Sequence, residues 1–246
     1  MKLIINGAGG RMGKALRSVI EKRENDTIAA AVDPFVKEDG MLACLADFAG
    51  EADCILDFSN HAGVVELLAY ACSKKLPVVV ATTGHTPEEL NAIHDAAKQI
   101  PVFHSGNMSL GIALLAQLVR QATAVFPDAD VEIIESHHNQ KLDVPSGTAL
   151  MLARAVQDAR PEAQMLVGRH ENGKRTKEEV GIHSIRMGNT VGIHEVIINT
   201  GTQVITLKHE AQDRALFAEG ALAAAEFLAQ QTPGLYSMDD IVKGRG

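Results

Sequence analysis

Residues 2–13 read Lys-Leu-Ile-Ile-Asn-Gly-Ala-Gly-Gly-Arg-Met-Gly, and this stretch decides the fold. Its apolar start predicts a strand, and the glycines that follow lead into a stretch with helical spacing. A strand, a glycine turn and a helix form the context in which a dinucleotide's phosphates bind. The spelling G-x-G-x-x-G is not met, because Met12 stands in the third glycine position. Glycines at positions 7, 10 and 13 still permit a tight turn, so we predict cofactor binding over a purely structural turn.

The first hundred residues alternate between short apolar runs and longer stretches with apolar residues at helical spacing. The strand-like runs are residues 3–6, 27–32, 54–58, 78–81 and 102–104. The helix-like stretches are residues 14–22, 62–74 and 87–99, the last beginning after Thr86 as its N-cap. This alternation predicts βαβ units and a parallel sheet, that is, an α/β domain.

An acidic residue, Asp33, ends the second predicted strand about 20 residues after the glycine turn. A carboxylate at that position hydrogen-bonds the adenosine ribose, and it repels the 2′-phosphate that distinguishes NADPH. Pro34 and Phe35, which follow, supply no compensating cation, so one could come only from Arg11, Lys14 or Lys37. The sequence therefore favours NADH, although Asp-Pro is also a common turn.

Two small polar loops follow the fourth and fifth predicted strands. They read Thr82-Thr83-Gly84 and Ser105-Gly106-Asn107-Met108. Because ligands bind at the carboxyl ends of strands in open α/β sheets, we expect these loops to line the nicotinamide pocket. Each loop alone is also an ordinary βα turn.

The segment of residues 135–149 reads E-S-H-H-N-Q-K-L-D-V-P-S-G-T-A and concentrates the chemistry of the second half. His137 and His138 titrate nearest neutral pH, so either can donate or accept a proton. Lys141 adds a cation, and residues 146–148 offer amides where a helix is expected to begin, which attracts anions. We predict a site for a small carboxylated substrate; the alternative is a surface loop with a Ser/Thr helix cap.

The pattern of the chain changes after Asn107. Helices are predicted over residues 110–126, 146–159 and 213–230, the last capped by Asp213, and strands over 131–136, 182–187, 193–199 and 203–208. Residues 169–181 are charged and polar and are typical of a mobile surface loop. The second half is therefore expected to form an antiparallel or mixed sheet with helices on one side.

Composition excludes several classes of protein. The net charge of -8 argues against general nucleic-acid binding. No apolar run approaches the roughly 20 residues of a membrane span, and the N-terminus does not resemble a signal peptide. Three cysteines without metal spacing fit a reducing compartment, so we expect a soluble cytoplasmic protein. The histidines lack the spacing of a metal site, and we predict none.

These motifs together resemble the 4-hydroxy-tetrahydrodipicolinate reductase family, also called dihydrodipicolinate reductases. The resemblance rests on the glycine turn, Thr82-Thr83-Gly84, Asn107-Met108-Ser109 and, most specifically, H-H-x-x-K-x-D-x-P-S-G-T. It covers nearly the whole chain. It implies NAD(P)H-dependent reduction of a cyclic dicarboxylate, 4-hydroxy-tetrahydrodipicolinate, in the diaminopimelate route to lysine.

The resemblance also implies an architecture and an assembly. A Rossmann-like cofactor domain would span residues 1–108 and 213–246, and an α+β substrate domain with a mixed or antiparallel sheet would span 109–212. Members of the family are usually homotetramers that join through the substrate-domain sheets.

Residue roles follow from the resemblance position by position. His137 matches the residue that transfers the proton, and Lys141 the second active-site donor. The positions matching substrate contacts are His138, Ser146, Gly147 and Thr148. The positions matching cofactor contacts are Gly7, Ala8, Gly9, Gly10, Arg11, Met12, Asp33, Ala81, Thr82, Thr83, Ser105, Gly106, Asn107 and Met108.

The chain departs from the family pattern at two positions. Ile193 stands where many members have Glu, and Pro34 stands where an arginine often follows the acidic residue. Three other readings remain open: another NAD(P)H-dependent reductase of a small carboxylated substrate, a metalloprotein, and a non-catalytic NADH-sensing module.

Overall fold

The structure, a computed structural model, describes residues 1–244. Contacts divide the chain into two units, one comprising Met1–Ser109 with the segment from Arg214 onward, the other Leu110–Asp213. Each junction lies one residue after the boundary expected from the sequence.

Strands and helices of the described residues are numbered here in chain order. The strands are β1 (Lys2–Asn6), β2 (Thr27–Val32), β3 (Met41–Leu42), β4 (Cys54–Asp57), β5 (Val78–Val80), β6 (Pro101–His104), β7 (Asp130–His137), β8 (Gln164–Val167), β9 (Glu179–Arg186), β10 (Gly192–Asn199), β11 (Val204–Ala211) and β12 (Gly234–Tyr236). The helices are α1 (Arg11–Ile20), α2 (Val64–Lys74), α3 (Pro87–Ala97), α4 (Leu110–Val125), α5 (Gly147–Ala159), α6 (Ala215–Leu228) and α7 (Met238–Gly244).

The first unit is built on a seven-stranded sheet in the order β12-β6-β5-β4-β1-β2-β3, and all its pairings are parallel. Its central strands are largely apolar and buried, as expected where both faces of a parallel sheet are covered. The predicted α/β class and parallel sheet are confirmed. The chain leaves β1 for β2 on one side and returns to β4 on the other, which creates a topological switch point.

Helix starts in the first unit follow local capping chemistry. α3 begins at Pro87 behind a capping box, in which the Thr86 side chain accepts from the backbone N–H of Glu89 and the Glu89 side chain accepts from that of Thr86. α1 begins at Arg11, three residues earlier than expected, so its first turn continues directly from the glycine turn.

The second unit contains a five-stranded sheet in the order β11-β10-β7-β9-β8. β7 and β8 each pair with β9 in parallel, whereas β10 is antiparallel to both β7 and β11. The sheet is therefore mixed, which is one of the two forms expected from the sequence, antiparallel or mixed. α4 and α5 share one apolar core with it, which includes Val119, Ile133, Leu152, Val156 and Val196.

Two sequence expectations were wrong in detail. β9 begins at Glu179, inside the stretch expected to be a loop, and Arg175 within that stretch is paired with Asp130 at the start of β7. α6 begins at Ala215 with Arg214 at the N-cap and no side-chain cap hydrogen bond, so Asp213 is not its cap. Near the C-terminus, β12 joins the first sheet beside β6, a strand that was not predicted.

No helix within residues 1–244 combines the length and apolarity needed to cross a membrane.

Candidate active site and cofactor site

The predicted cofactor residues of the first unit lie in turns at the carboxyl edge of its parallel sheet. The glycine turn follows β1, Asp33 follows β2, and the two small polar loops follow β5 and β6. This edge flanks the switch point between β1 and β4, where open α/β sheets bind their ligands.

The glycine turn can be made only by glycine at two of its positions. Gly7 has φ +82°, and a Cβ there would lie 2.5 Å from the backbone oxygen of Phe58. A Cβ on Gly13 would lie 2.2 Å from the backbone oxygen of Gly7, so this glycine lets α1 pack against the turn. The missing third glycine, Met12, is half-buried in the first turn of α1 and leaves the turn intact.

A cavity of about 790 Å³ adjoins this turn. Its lining includes Asn6, Gly7, Gly10, Asp33 and Ser59, that is, the carboxyl ends of β1, β2 and β4. The volume falls in the range of small-molecule and cofactor sites, and the N-terminus of α1 favours an anion beside the turn. The residues present therefore fit a dinucleotide.

Asp33 is almost fully buried, and backbone groups hold its carboxylate. Oδ2 accepts from the N–H of Gly9 at 3.0 Å, while Oδ1 accepts from Phe35 at 3.0 Å and Val36 at 3.2 Å. An ionised carboxylate offers about four acceptor sites, so capacity for a ribose hydroxyl remains. Asp33 thus forms the turn and ties it to the glycine turn, and contact with a ribose stays a prediction.

Hydroxyl groups fix the two polar loops. Thr82 donates to Asp57 Oδ2 at 2.6 Å and accepts from the N–H of Ser59 at 3.0 Å. Ser105 donates to the backbone oxygen of Asn107 at 2.7 Å. The same two loops contain Ala81, Thr83 and Gly106. Met108 is buried, and its backbone oxygen lies so close to Gly220 that a Cβ there would collide with it.

Asp57, a nearly inaccessible acid at the end of β4, was not among the predicted site residues. Asn6 and Ser59 donate to its Oδ1 at 2.8 and 2.6 Å, and Thr82 donates to its Oδ2. Asp57 therefore joins the turns after β1, β4 and β5. An acid closing an otherwise apolar strand was the signal available for it.

In the second unit, His137 ends β7 and is buried. Its Nδ1 lies 2.5 Å from Oε2 of Glu135, two residues earlier on the same face of the strand. His138 begins the loop that follows, and the backbone N–H of Lys141 donates to its carbonyl oxygen at 3.2 Å. The Lys141 ammonium pairs with Asp143 at 2.8 Å.

The loop ends where α5 begins. Ser146 is the N-cap: its hydroxyl oxygen accepts from the N–H of Ala149 at 3.2 Å and lies 3.1 Å from His194 Nε2. Gly147 is exposed, and a Cβ there would meet no atom within 4 Å. Thr148 follows in the first turn. The start of α5 thus presents open space beside Gly147, which suits an anion at a helix N-terminus.

No role was predicted for Glu135 or Arg186, and His194 was considered only as a possible metal ligand. Arg186 donates to both oxygens of Glu135, at 2.9 and 2.8 Å. His194 is buried, and its ring centroid lies 5.1 Å from that of His137. The sequence did offer a signal for Glu135, since it is a charged residue inside a predicted strand. Arg186 and His194 lie far from His137 in the sequence, and no local pattern points to them.

The described residues contain no group of side chains arranged to bind a metal ion. Across residues 1–244, no cluster of three or more His, Cys, Asp or Glu side chains has an arrangement that would hold a metal ion.

The two units define a class of protein. The first unit has a parallel sheet with a glycine turn suited to a pyridine nucleotide, and the second has a mixed sheet bearing a carboxylate-paired histidine. This combination is typical of a pyridine-nucleotide-dependent oxidoreductase. Residues 1–108 match the family Dihydrodipicolinate reductase, N-terminus, and residues 111–242 match Dihydrodipicolinate reductase, C-terminus. The chain belongs to the dihydrodipicolinate reductase family.

Individual relatives agree with this assignment. The chain is 44% identical over 247 residues to a 4-hydroxy-tetrahydrodipicolinate reductase of Caldanaerobacter subterraneus subsp. tengcongensis, covering 99% of this chain and 98% of the relative. It is 42% identical to one of Clostridium novyi, covering 99% of each. A solved structure, the dipicolinate-bound dihydrodipicolinate reductase from Paenisporosarcina sp. TG-14, matches with a TM-score of 0.83 and 26% identity, covering 98% of this chain and 99% of that one.

Proposed function

We propose that this chain catalyses the pyridine-nucleotide-dependent reduction of 4-hydroxy-tetrahydrodipicolinate to tetrahydrodipicolinate, in the diaminopimelate route to lysine. The reaction consumes a hydride and a proton and releases the 4-hydroxyl group as water. The observation that carries the proposal is the buried pairing of His137 with Glu135 within a chain of this family. A histidine so held is suited to general acid–base catalysis.

His137 supplies the proton in this proposal, and Lys141 binds a substrate carboxylate or stabilises developing negative charge. Lys141 already contacts an anion, Asp143, at 2.8 Å, so it can exchange or share that partner with a carboxylate of the substrate. His138, Gly147 and Thr148 bind the substrate at the start of α5. Ser146 belongs to the same group, and its buried hydroxyl supports that helix start.

The cofactor site is proposed at the carboxyl edge of the parallel sheet. The glycine turn, Asp33 and the loops after β5 and β6 hold the dinucleotide there. When bound, the reduced nicotinamide supplies the hydride. NADH is the favoured form, because the Asp33 carboxylate would repel a 2′-phosphate and Pro34 offers no cation.

Assembly as a homotetramer is proposed through the sheet of the second unit. α4 and α5 pack with one face of that sheet. Apolar side chains elsewhere on its strands remain accessible, including Ile185 at 42% and Val204 at 57% exposure. A cytoplasmic location suits the three free thiols of Cys44, Cys54 and Cys72.

A coupled assay tests the activity. Freshly generated 4-hydroxy-tetrahydrodipicolinate is mixed with the protein and NADH or NADPH, and loss of the reduced cofactor is followed by absorbance. We expect turnover with both cofactors, a lower KM for NADH, and no effect of a chelator. Cofactor binding without turnover would favour the sensing module, and activity that is lost with a chelator and restored by zinc would favour a metalloenzyme.

A further inference from the structure

Glu135 is the centre of the polar network in the second unit, and its side chain is completely buried. Oε2 faces His137 Nδ1 at 2.5 Å and accepts from Arg186 at 2.9 Å. Oε1 accepts from Arg186 at 2.8 Å and from the backbone N–H of Ser146 at 3.2 Å. Every described contact therefore brings a donor to this carboxylate.

The network keeps Glu135 ionised. Burial alone would raise the pKa of Glu135, but the hydrogen bonds from His137 and Arg186 outweigh it and hold that pKa well below its usual range. The two-pronged contact with Arg186 is the geometry in which a guanidinium best stabilises a carboxylate. An ionised carboxylate can only accept, so the hydrogen between Glu135 and His137 resides on Nδ1.

The other ring nitrogen of His137 is thereby left for proton exchange. A Cβ on Gly192 would lie 3.1 Å from His137 Nε2, so the glycine keeps the space beside that atom clear of a side chain. The absence of a side chain at residue 192 and the anchoring of Nδ1 both direct proton transfer to Nε2.

His194, the nearest ring, is kept neutral. The Ser146 hydroxyl oxygen accepts from the backbone N–H of Ala149 and lies 3.1 Å from His194 Nε2. Burial, together with the nearby His137, lowers the pKa of His194 to about 3. His194 is therefore an uncharged neighbour of His137.

We propose that Glu135 is a positioning residue that fixes His137 as the Nδ1–H tautomer, with Arg186 holding the carboxylate in place. This proposal rests on the proposed function of His137. The charged and titratable groups around the pair come from four strands and the loop after β7: Glu135, Arg186, His194, His209, Lys141 and Asp143.

The test compares Glu135→Gln with Glu132→Gln. Glu132 lies on the same strand and also accepts from a histidine, His183, at 2.8 Å, and from an arginine, Arg175. Glutamine at 135 keeps the shape but loses the charge and the fixed acceptor. We expect kcat to fall by about 100-fold or more with little change in KM for the cofactor. Glu132→Gln should change neither, and Glu135→Asp should restore part of kcat.

A second measurement needs neither activity nor a variant at Glu135. In wild-type protein labelled with ¹⁵N-histidine, the His137 resonances, assigned by their absence from His137→Gln, should show hydrogen on Nδ1 at high pH. A proton on Nε2 alone, or an unchanged kcat in Glu135→Gln, would overturn the proposal. If the wild-type protein does not turn over the substrate, the proposed function fails, while the NMR result still decides the role of Glu135.

Discussion

Asp33 accepts a 3.0 Å hydrogen bond from the backbone N–H of Gly9, and this contact ties the end of β2 to the glycine turn. The two residues are distant in sequence but adjacent at the carboxyl edge of the parallel sheet. The carboxylate therefore shapes the turn as well as carrying the charge that bears on cofactor choice.

Replacing Asp33 by Asn should separate these two effects. Asparagine has one acceptor oxygen where aspartate has two. Its NH₂ group would therefore face either the N–H of Gly9 or the N–H groups of Phe35 and Val36, and those backbone donors would lose their acceptor. We expect the free energy of unfolding to fall by about 1–3 kcal/mol, KM for both cofactors to rise, and the preference to shift toward NADPH. Urea unfolding and steady-state kinetics measure this. Asp39→Asn, on an exposed stretch nearby, is the control; an unchanged NADH/NADPH ratio would remove Asp33 from cofactor selection.

His137→Gln should lower kcat by about 10²- to 10⁴-fold, because glutamine cannot carry a proton at neutral pH. NADH affinity, measured by fluorescence titration, should stay near the wild-type value, since the cofactor residues belong to the other unit. His170→Gln, at an exposed position in the second unit, serves as the matched control. Wild-type turnover in His137→Gln would exclude this histidine as the proton donor.

Lys141→Ala should raise KM for the dicarboxylate and also lower kcat, since the cation acts on both bound substrate and developing charge. Its ion pair with Asp143 is partly exposed and contributes little to stability, so the free energy of unfolding should change by less than about 1 kcal/mol. Lys174→Ala removes an exposed lysine from the same unit and should leave kinetics unchanged. Equal kinetics in the two variants would contradict the assignment.

Stability should fall as the pH drops from neutral, partly through His194. Burial lowers the pKa of its imidazole to about 3 in the folded chain, against about 6.5 when unfolded. Between these values the unfolded chain binds a proton that the folded chain does not, so folding weakens with decreasing pH. The loss between pH 7 and pH 5 amounts to about 2 kcal/mol for one such group. Urea unfolding of His194→Gln at both pH values should show a smaller difference than wild type; an equal difference would mean that His194 is protonated in the fold.

The first unit was largely predictable because a parallel sheet buried on both faces produces continuous apolar runs, as in β1 and β4. β3 and β12 were missed, since two or three residues are too few to show a period. In the second unit, the predicted start of β9 was too late in the sequence, because Glu179 and Gly181 are typical of loops. Gly181 is needed within the strand: a Cβ there would collide with the Glu132 carboxylate across the sheet.

The sequence by itself determined the glycine turn, the parallel sheet and the segment that holds His137 and Lys141, because each depends on residues close together in the chain. Only the tertiary structure decided how His137 is held. Parallel pairing of β7 with β9 sets Arg186 opposite His137, and antiparallel pairing with β10 sets His194 opposite Glu135. Strand register is fixed by burial of one whole face of the sheet, so these partners follow from the packing of the core and not from any local motif.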